Sequence, residues 1–281
     1  MLSYRHAFHA GNHADVLKHL VELQLLDYLN QKDKPYWYID THAGAGVYAL
    51  TEGFAAKNAE YESGIARLWS RTDLPPALAE YVEVVRKLND HGKLRLYPGS
   101  PWFALQRIRE QDRLRLYELH PTDAPILFDN FAEQLKQTMI YPEDGFNGIK
   151  ALLPPPTRRA LTLIDPPYED KRDYQHVVTA MQESLKRFAT GVYAIWYPML
   201  SRPEIRTMLD KLKKLPAKGW LHVNLQVQSP SPDGFGMHGS GMFVVNPPWT
   251  LHDTLAQLMP YLVKQLGQDA GARFTLEQHS A

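Results

Sequence analysis

Tyr36-Trp37-Tyr38-Ile39-Asp40-Thr41-His42-Ala43-Gly44-Ala45-Gly46-Val47-Tyr48-Ala49 is the stretch on which the fold turns. It reads as a short strand ending in an acid, then Gly44-x-Gly46-x-x-Ala49 opening a helix, the nucleotide-binding turn of a doubly wound sheet. The glycines let the backbone turn tightly and approach a ligand with no Cβ in the way. A glycine-containing loop of no special purpose is the plain alternative. Outward from this turn, strand signals recur at residues 94–97, 114–117, 138–141, 161–164, 192–197, 222–227 and 242–245. Helical stretches lie between most of them, at 101–109, 125–136, 174–188 and 203–212. This alternation predicts an α/β fold with a mainly parallel sheet. Residues 46–118 are too many for one crossover, so a helical insertion is expected at about 50–97 in an otherwise single domain spanning 1–281. Residues 1–34 form an N-terminal segment, irregular at first, then a largely buried helix with Asn12 as N-cap.

Composition narrows the class. The 281 residues carry 31 Lys+Arg and 31 Asp+Glu, a formal charge of zero, and no cysteine. A disulfide scaffold, thiolate metal sites and a cysteine nucleophile are thereby excluded. The longest nearly apolar run, 191–200, is broken by Pro198 and too short to span a bilayer. The first residues lack a signal-peptide pattern, so a soluble, cytoplasmic protein is expected.

Strand-end acids supply the chemistry. Glu118 closes the strand at 114–117 and is placed to accept hydrogen bonds from ribose hydroxyls, the proposed insertion explaining its distance from the glycines. Asp144-Gly145 follows the next strand and suits an adenine amino group, though a plain Asp-Gly turn explains it nearly as well. The most specific signal is Asp165-Pro166-Pro167-Tyr168, directly after an apolar strand. Two prolines stiffen the loop. It can therefore hold a carboxylate, the Pro166 carbonyl and the Tyr168 ring in fixed relation, as methylation of an exocyclic amino group requires. Asp165 and Pro166 would accept the amine's hydrogens and aim its lone pair, and Tyr168 would stack on a flipped base. Asn246-Pro247-Pro248-Trp249 also follows an apolar strand, but a final antiparallel strand would point it away from the cofactor edge. The glycine turn alone would also permit a nicotinamide-dependent oxidoreductase, and the tetrapeptide alone does not separate DNA from RNA.

Taken with residues 4–19 (Tyr4-Arg5-His6-Ala7-Phe8-His9-Ala10-Gly11-Asn12-His13-Ala14-Asp15-Val16-Leu17-Lys18-His19), Asp40–Gly46 and Leu152-Leu153-Pro154-Pro155-Pro156, the chain resembles the RlmJ family of bacterial 23S ribosomal RNA adenine-N6 methyltransferases. The similarity spans nearly the whole sequence. It implies a Rossmann-like class I methyltransferase sheet with its last strand antiparallel, S-adenosyl-L-methionine as cofactor, and 23S ribosomal RNA, free or incompletely assembled, as substrate of a monomer. It further implies that Lys18 and His19 hold the methionine end of the cofactor beside His42, Gly44 and Ser100. Glu118 then lies on the ribose, Asp144 and Gly145 at the adenine, and Asp165 in the catalytic place against the cofactor. Tyr4 is implied to touch the RNA, and His6 and His9 read as RNA or cofactor contacts.

His6, His9, His13 and His19 match no familiar metal-ligand spacing, so no metal is expected. Arg158-Arg159 and Lys171-Arg172 flank the Asp165 loop and suit phosphate contacts. A neutral chain with basic pairs around one pocket should engage few phosphates. A shallow dependence of RNA affinity on salt is accordingly expected in a titration between about 50 and 200 mM salt, and a steep slope would contradict it.

Overall fold

The computed structural model describes residues 6–51 and 58–280. Helix α1 (His13–Asn30) opens it, with Asn12 Oδ1 accepting hydrogen bonds from the Ala14 and Asp15 amides at 2.9 and 3.0 Å. Strand β1 (Trp37–Asp40) follows and lies inside the main sheet. Strands β4 (Arg113–Tyr117), β5 (Thr138–Tyr141), β6 (Ala160–Ile164) and β7 (Val192–Met199) run parallel to it in the order β5-β4-β1-β6-β7. Strand β9 (Gly239–Val245) pairs antiparallel with both β7 and β8 (Gly219–Gln226), so β8 runs in the direction of β7. The sheet is thus mainly parallel with the expected reversed strand, a Rossmann-like methyltransferase order. The sequence reading did not foresee β10 (Arg273–Ser280), which pairs antiparallel with β8 at the edge. Most of its side chains are polar and none is buried, so its apolar signal is weak.

The glycine turn departs from expectation. No helix follows it directly. Val47 and Tyr48 instead enter a short strand, β2 (Val47–Ala49), paired antiparallel with β3 (Leu96–Pro98) in a separate two-stranded sheet. The strand expected at 94–97 belongs to this ribbon, not to the main sheet. Gly99 then donates its amide to the Gly46 carbonyl at 2.8 Å and caps helix α4 (Ser100–Leu105), which performs the crossover to β4. Between β2 and β3 lie helices α2 (Ala66–Trp69) and α3 (Pro76–Arg86). Their Leu68, Tyr81 and Val82 are fully buried in one core with Leu17, Leu20 and Val21 of α1.

The strands sort their side chains by face, as a two-residue period requires. Tyr38, Leu114, Leu116, Leu161 and Leu163 join α1 and α9 (Leu251–Leu266) on one side. Ile39, Tyr117, Ile164, Tyr193 and Ile195 pack on the other. There they meet α7 (Asp173–Arg187) and α8 (Pro203–Leu212). Helices α5 (Asp123–Asn130) and α6 (Gly145–Leu152) follow β4 and β5.

Asn246-Pro247-Pro248-Trp249 sits at the far edge of the sheet. Val245 pairs with Tyr193 and Trp220 near the starts of β7 and β8. Asn246, at φ +55°, donates its side-chain amide to the Ala189 and Gly191 carbonyls, tying a turn.

Gly241 in β9 lies opposite Tyr197, whose ring covers it so closely that a Cβ would stand 2.3 Å from the phenol carbon. Tyr197 cannot retreat, being 2% exposed with its hydroxyl 2.6 Å from His222 Nε2. Gly241→Ala should cost about 1–3 kcal/mol of stability by overpacking, read as a lowered urea midpoint at unchanged slope.

Candidate active site

The C-terminal ends of the parallel strands open into a cavity of about 860 Å³. That size suits a nucleoside-bearing ligand. Strand β6 delivers Asp165 to its wall, and α1 brings Lys18 against it, Nζ lying 2.7 Å from Asp165 Oδ2. The same ammonium meets Asp15 Oδ1 at 3.0 Å. Asp15 Oδ2 in turn takes His6 Nε2 and the Gly11 amide, each at 2.9 Å. Asp15, Lys18 and Asp165 thus form a linked row of charges with both members of α1 buried. Burial alone would raise Asp15, but His6 and Lys18 overcome it and hold the carboxyl well below its usual range. Burial would likewise lower Lys18, and its two carboxylates hold it well above the usual value. The expected cation is therefore present and already shared with the expected catalytic carboxylate.

The turn after β1 builds the opposite wall. Gly44, at φ +62°, donates its amide to Glu118 Oε2 at 2.7 Å, and His120 donates to Oε1 at 2.6 Å. Burial, aided by the charges of Asp123 and Asp40, raises Glu118 to about 7. Asp40 is fully buried and raised to about 6 by burial. It accepts the Ser100 hydroxyl at 2.7 Å, the Tyr38 hydroxyl at 3.1 Å and the His42 amide at 3.1 Å. His42 Nδ1 lies 2.8 Å from Thr41 Oγ1, and burial lowers its pKa to about 4, so the ring is neutral. Asp144 caps α6, accepting the Phe146 amide at 2.9 Å. Gly145 allows that helix end to approach β1: a Cβ there would stand 2.1 Å from the Thr41 carbonyl. Lys18, His19, His42, Gly44, Ser100, Glu118, Asp144, Gly145 and Asp165 all line the one cavity.

Other expectations fare differently. His19 is wholly buried, with Nδ1 2.8 Å from the Tyr97 hydroxyl and its ring stacked on Phe103 at 4.5 Å. Only its Nε2, which lacks a partner, is left for the cavity. His6 lines the cavity. His9 does not, and its Nδ1 contacts Glu60 at 2.9 Å. Tyr4 lies outside the described residues. Pro167, not the buried Pro166, lines the wall. Tyr168 requires a correction. Its ring is 1% exposed, packed against Tyr174 at 4.7 Å, and its hydroxyl donates to the Trp196 carbonyl at 2.7 Å. With both faces covered, it braces the loop and offers no platform for a base. The sequence reading also passed over Asp40 as a hub and Phe146 and His176 as lining residues. Asp40's place at the strand end before the glycines was the available signal.

Glu118 gives the site a pH signature. Its folded pKa of about 7 exceeds its ordinary 4.5, so the folded chain holds a proton there that the unfolded chain has released. This contribution to stability is full below about 4.5 and is lost as pH rises to 7. Between pH 5 and 8 the wild type should therefore lose stability relative to Glu118→Gln, measured by urea unfolding. Parallel pH profiles would contradict the assignment.

The geometry has a family. A family model described as "Ribosomal RNA large subunit methyltransferase D, RlmJ" matches residues 33–277. Ribosomal RNA large subunit methyltransferase J of Haemophilus influenzae is 49% identical over 278 residues, covering 99% of this chain and 98% of that protein. The Escherichia coli K12 protein of the same name is 50% identical over 266 residues, covering 95% and 94%. The crystal structure of a Legionella pneumophila protein, LPL1258, superposes with a TM-score of 0.88 at 36% identity, covering 97% of this chain and 98% of that one. A sheet with its reversed strand, a strand-end Asp-Pro-Pro-Tyr loop and full-length relatives thus agree, and the chain belongs to the RlmJ family of ribosomal RNA large subunit methyltransferases.

Proposed function

We propose that this chain transfers a methyl group from S-adenosyl-L-methionine to N6 of one adenine in 23S ribosomal RNA. The observation that carries this reading is Asp165, held by the Lys18 ammonium at 2.7 Å on a stiff loop at the mouth of the cavity. The names of the Haemophilus and Escherichia relatives support ribosomal RNA as the substrate class.

The cavity suits the cofactor chemically. Glu118 offers acceptors for ribose hydroxyls, Asp144 an acceptor for an adenine amino group, and the unpartnered His19 Nε2 a polar atom next to Lys18. Ser100 and the neutral His42 complete the methionine side, with Gly44 keeping the wall free of a side chain. When bound, the cofactor supplies an electrophilic methyl group.

The chain's own work is positioning. An adenine inside a helix cannot reach Asp165, so the target base has to be flipped into the cavity. Its amine is a poor nucleophile because the lone pair is delocalised into the ring. Asp165, held in place by Lys18, accepts an amino hydrogen, which turns the lone pair toward the methyl group. Fixed acceptors and in-line geometry supply the rate, with no covalent intermediate. His6, Lys171 and Arg172 line the cavity with Asp165, and the two cations suit the phosphates of the incoming RNA. Free or incompletely assembled RNA in the cytoplasm is the proposed substrate form, taken up by a monomer.

Incubation with unmethylated ribosomal RNA and labelled cofactor should yield N6-methyladenosine at one site, identified by nucleoside mass spectrometry. Transfer to DNA alone, or to another base, would overturn the reading. Asp165→Ala should lower the rate by at least about 10²–10³ while cofactor binding persists, and a variant with full rate would refute the catalytic role.

A further inference from the structure

Two large aromatic side chains stand out in solvent among the described residues, Phe235 at 79% exposure and Trp249 at 75%. The sheet separates them. Trp249 follows β9 at the edge away from the cavity. Phe235 lies in the loop joining β8 to β9, and β8 runs parallel to β7, so that loop leaves the sheet at the edge where the cavity opens.

The loop is built to hold the ring out. Asp233 Oδ1 accepts the Ser231 hydroxyl at 2.5 Å and the Phe235 amide at 3.0 Å, and the Gly234 amide returns to the Ser231 carbonyl at 2.9 Å. Gly234 and Gly236 flank the ring at φ +75° and +86°, conformations that a side chain would strain. The base of the loop is anchored where His238 donates its amide to the Met199 carbonyl at 3.1 Å. A Cβ on Gly234 would be 3.7 Å from Ser201. The next residue, Arg202, donates to the Tyr168 carbonyl of the Asp165 loop at 3.0 Å. Ser201 and Arg202 thus lie between the Phe235 turn and the Asp165 loop, and the ring itself does not line the cavity. Lys171, Arg172 and Arg206 are exposed along the same edge, each facing a carboxylate of its own.

We infer that Phe235 is a stacking contact for an unpaired RNA base adjacent to the methylated adenine. This inference rests on the RNA reading above and extends it to a surface outside the cavity. A phenylalanine held in water by a fixed turn forgoes burial, and an unstacked base beside a flipped nucleotide offers the flat partner that covers it. Lys171, Arg172 and Arg206, exposed on the same edge, suit the phosphates of such a strand. Because stacking reads no hydrogen-bond pattern, Phe235 contributes affinity and register, with little preference among bases.

Full-length Phe235→Ala is the test, since an exposed loop residue can change without unfolding the chain. Its Kd for large-subunit ribosomal RNA, measured without cofactor, should rise about 5- to 150-fold, the loss expected for one base–aromatic stack. Cofactor affinity should stay at the wild-type value, Phe235→Trp should restore RNA binding, and Trp249→Ala should bind RNA as the wild type does. An RNA Kd within twofold of wild type for Phe235→Ala would overturn the inference. So would loss of self-association in sedimentation with RNA binding intact, which would assign the ring to a second copy of the chain. Wild-type protein that binds RNA through Phe235 and transfers no methyl would remove the methyl-transfer reading and leave this contact standing.

Discussion

The contact between Lys18 and Asp165 joins two parts of the chain 147 residues apart, and most of the site is arranged around it. Losing the buried Lys18 ammonium is the costly change, about 3–5 kcal/mol for such a pair, whereas loss of Asp165 leaves Lys18 against Asp15. Helix α1 is thus tied to the end of β6 by charge as well as by its apolar face. Asp15 completes the balance from within the helix and, through His6 and the Gly11 amide, extends it to the segment before α1. Compensation of the buried Lys18 charge and a chemical need for a fixed acceptor are met within the same three side chains.

Much of this was legible in the sequence because the relevant signals are local. A strand ending in Asp-Pro-Pro-Tyr, acids at successive strand tips and a glycine turn each occupy a few residues, and the alternation of strands with helices already implies a mainly parallel sheet. Nine residues expected around the cofactor do line one cavity. The failures have long-range causes. Tyr168 looked like an exposed platform because nothing adjacent in sequence reveals Tyr174 and the Trp196 carbonyl folding over it. Helix α9 carries Pro260 in its interior, which argues locally against a helix, and burial of Leu255, Met259 and Leu262 overrides that preference. Strand β10 shows little apolar character because only one side of it faces the core.

Burial also divides the carboxylates of the site into two kinds. Asp15 has cations against it and stays charged, while Asp40 and Glu118, served chiefly by hydroxyls and backbone amides, are pushed upward to about 6 and 7. Neutral donors cannot offset the loss of water as a full charge does. Permanent charge is held by Asp15 and Lys18 beside the reacting loop, and Glu118, the acid expected to meet ribose, titrates near neutrality.

The closure of Gly46 onto Gly99 makes residues 47–98 a detour whose departure and return points touch. Seen from β1 and α4, the path is the same whatever the detour contains, so its loops are free to lengthen or shorten over evolutionary time without displacing the glycine turn. Its helices do not share that freedom. Leu68, Tyr81 and Val82 form part of the cover over α1, and α1 carries Lys18. Variation among relatives should therefore collect in the connections of this segment and spare the helical faces turned toward α1, which makes its outer surface the natural place for members of the family to diverge in what they touch.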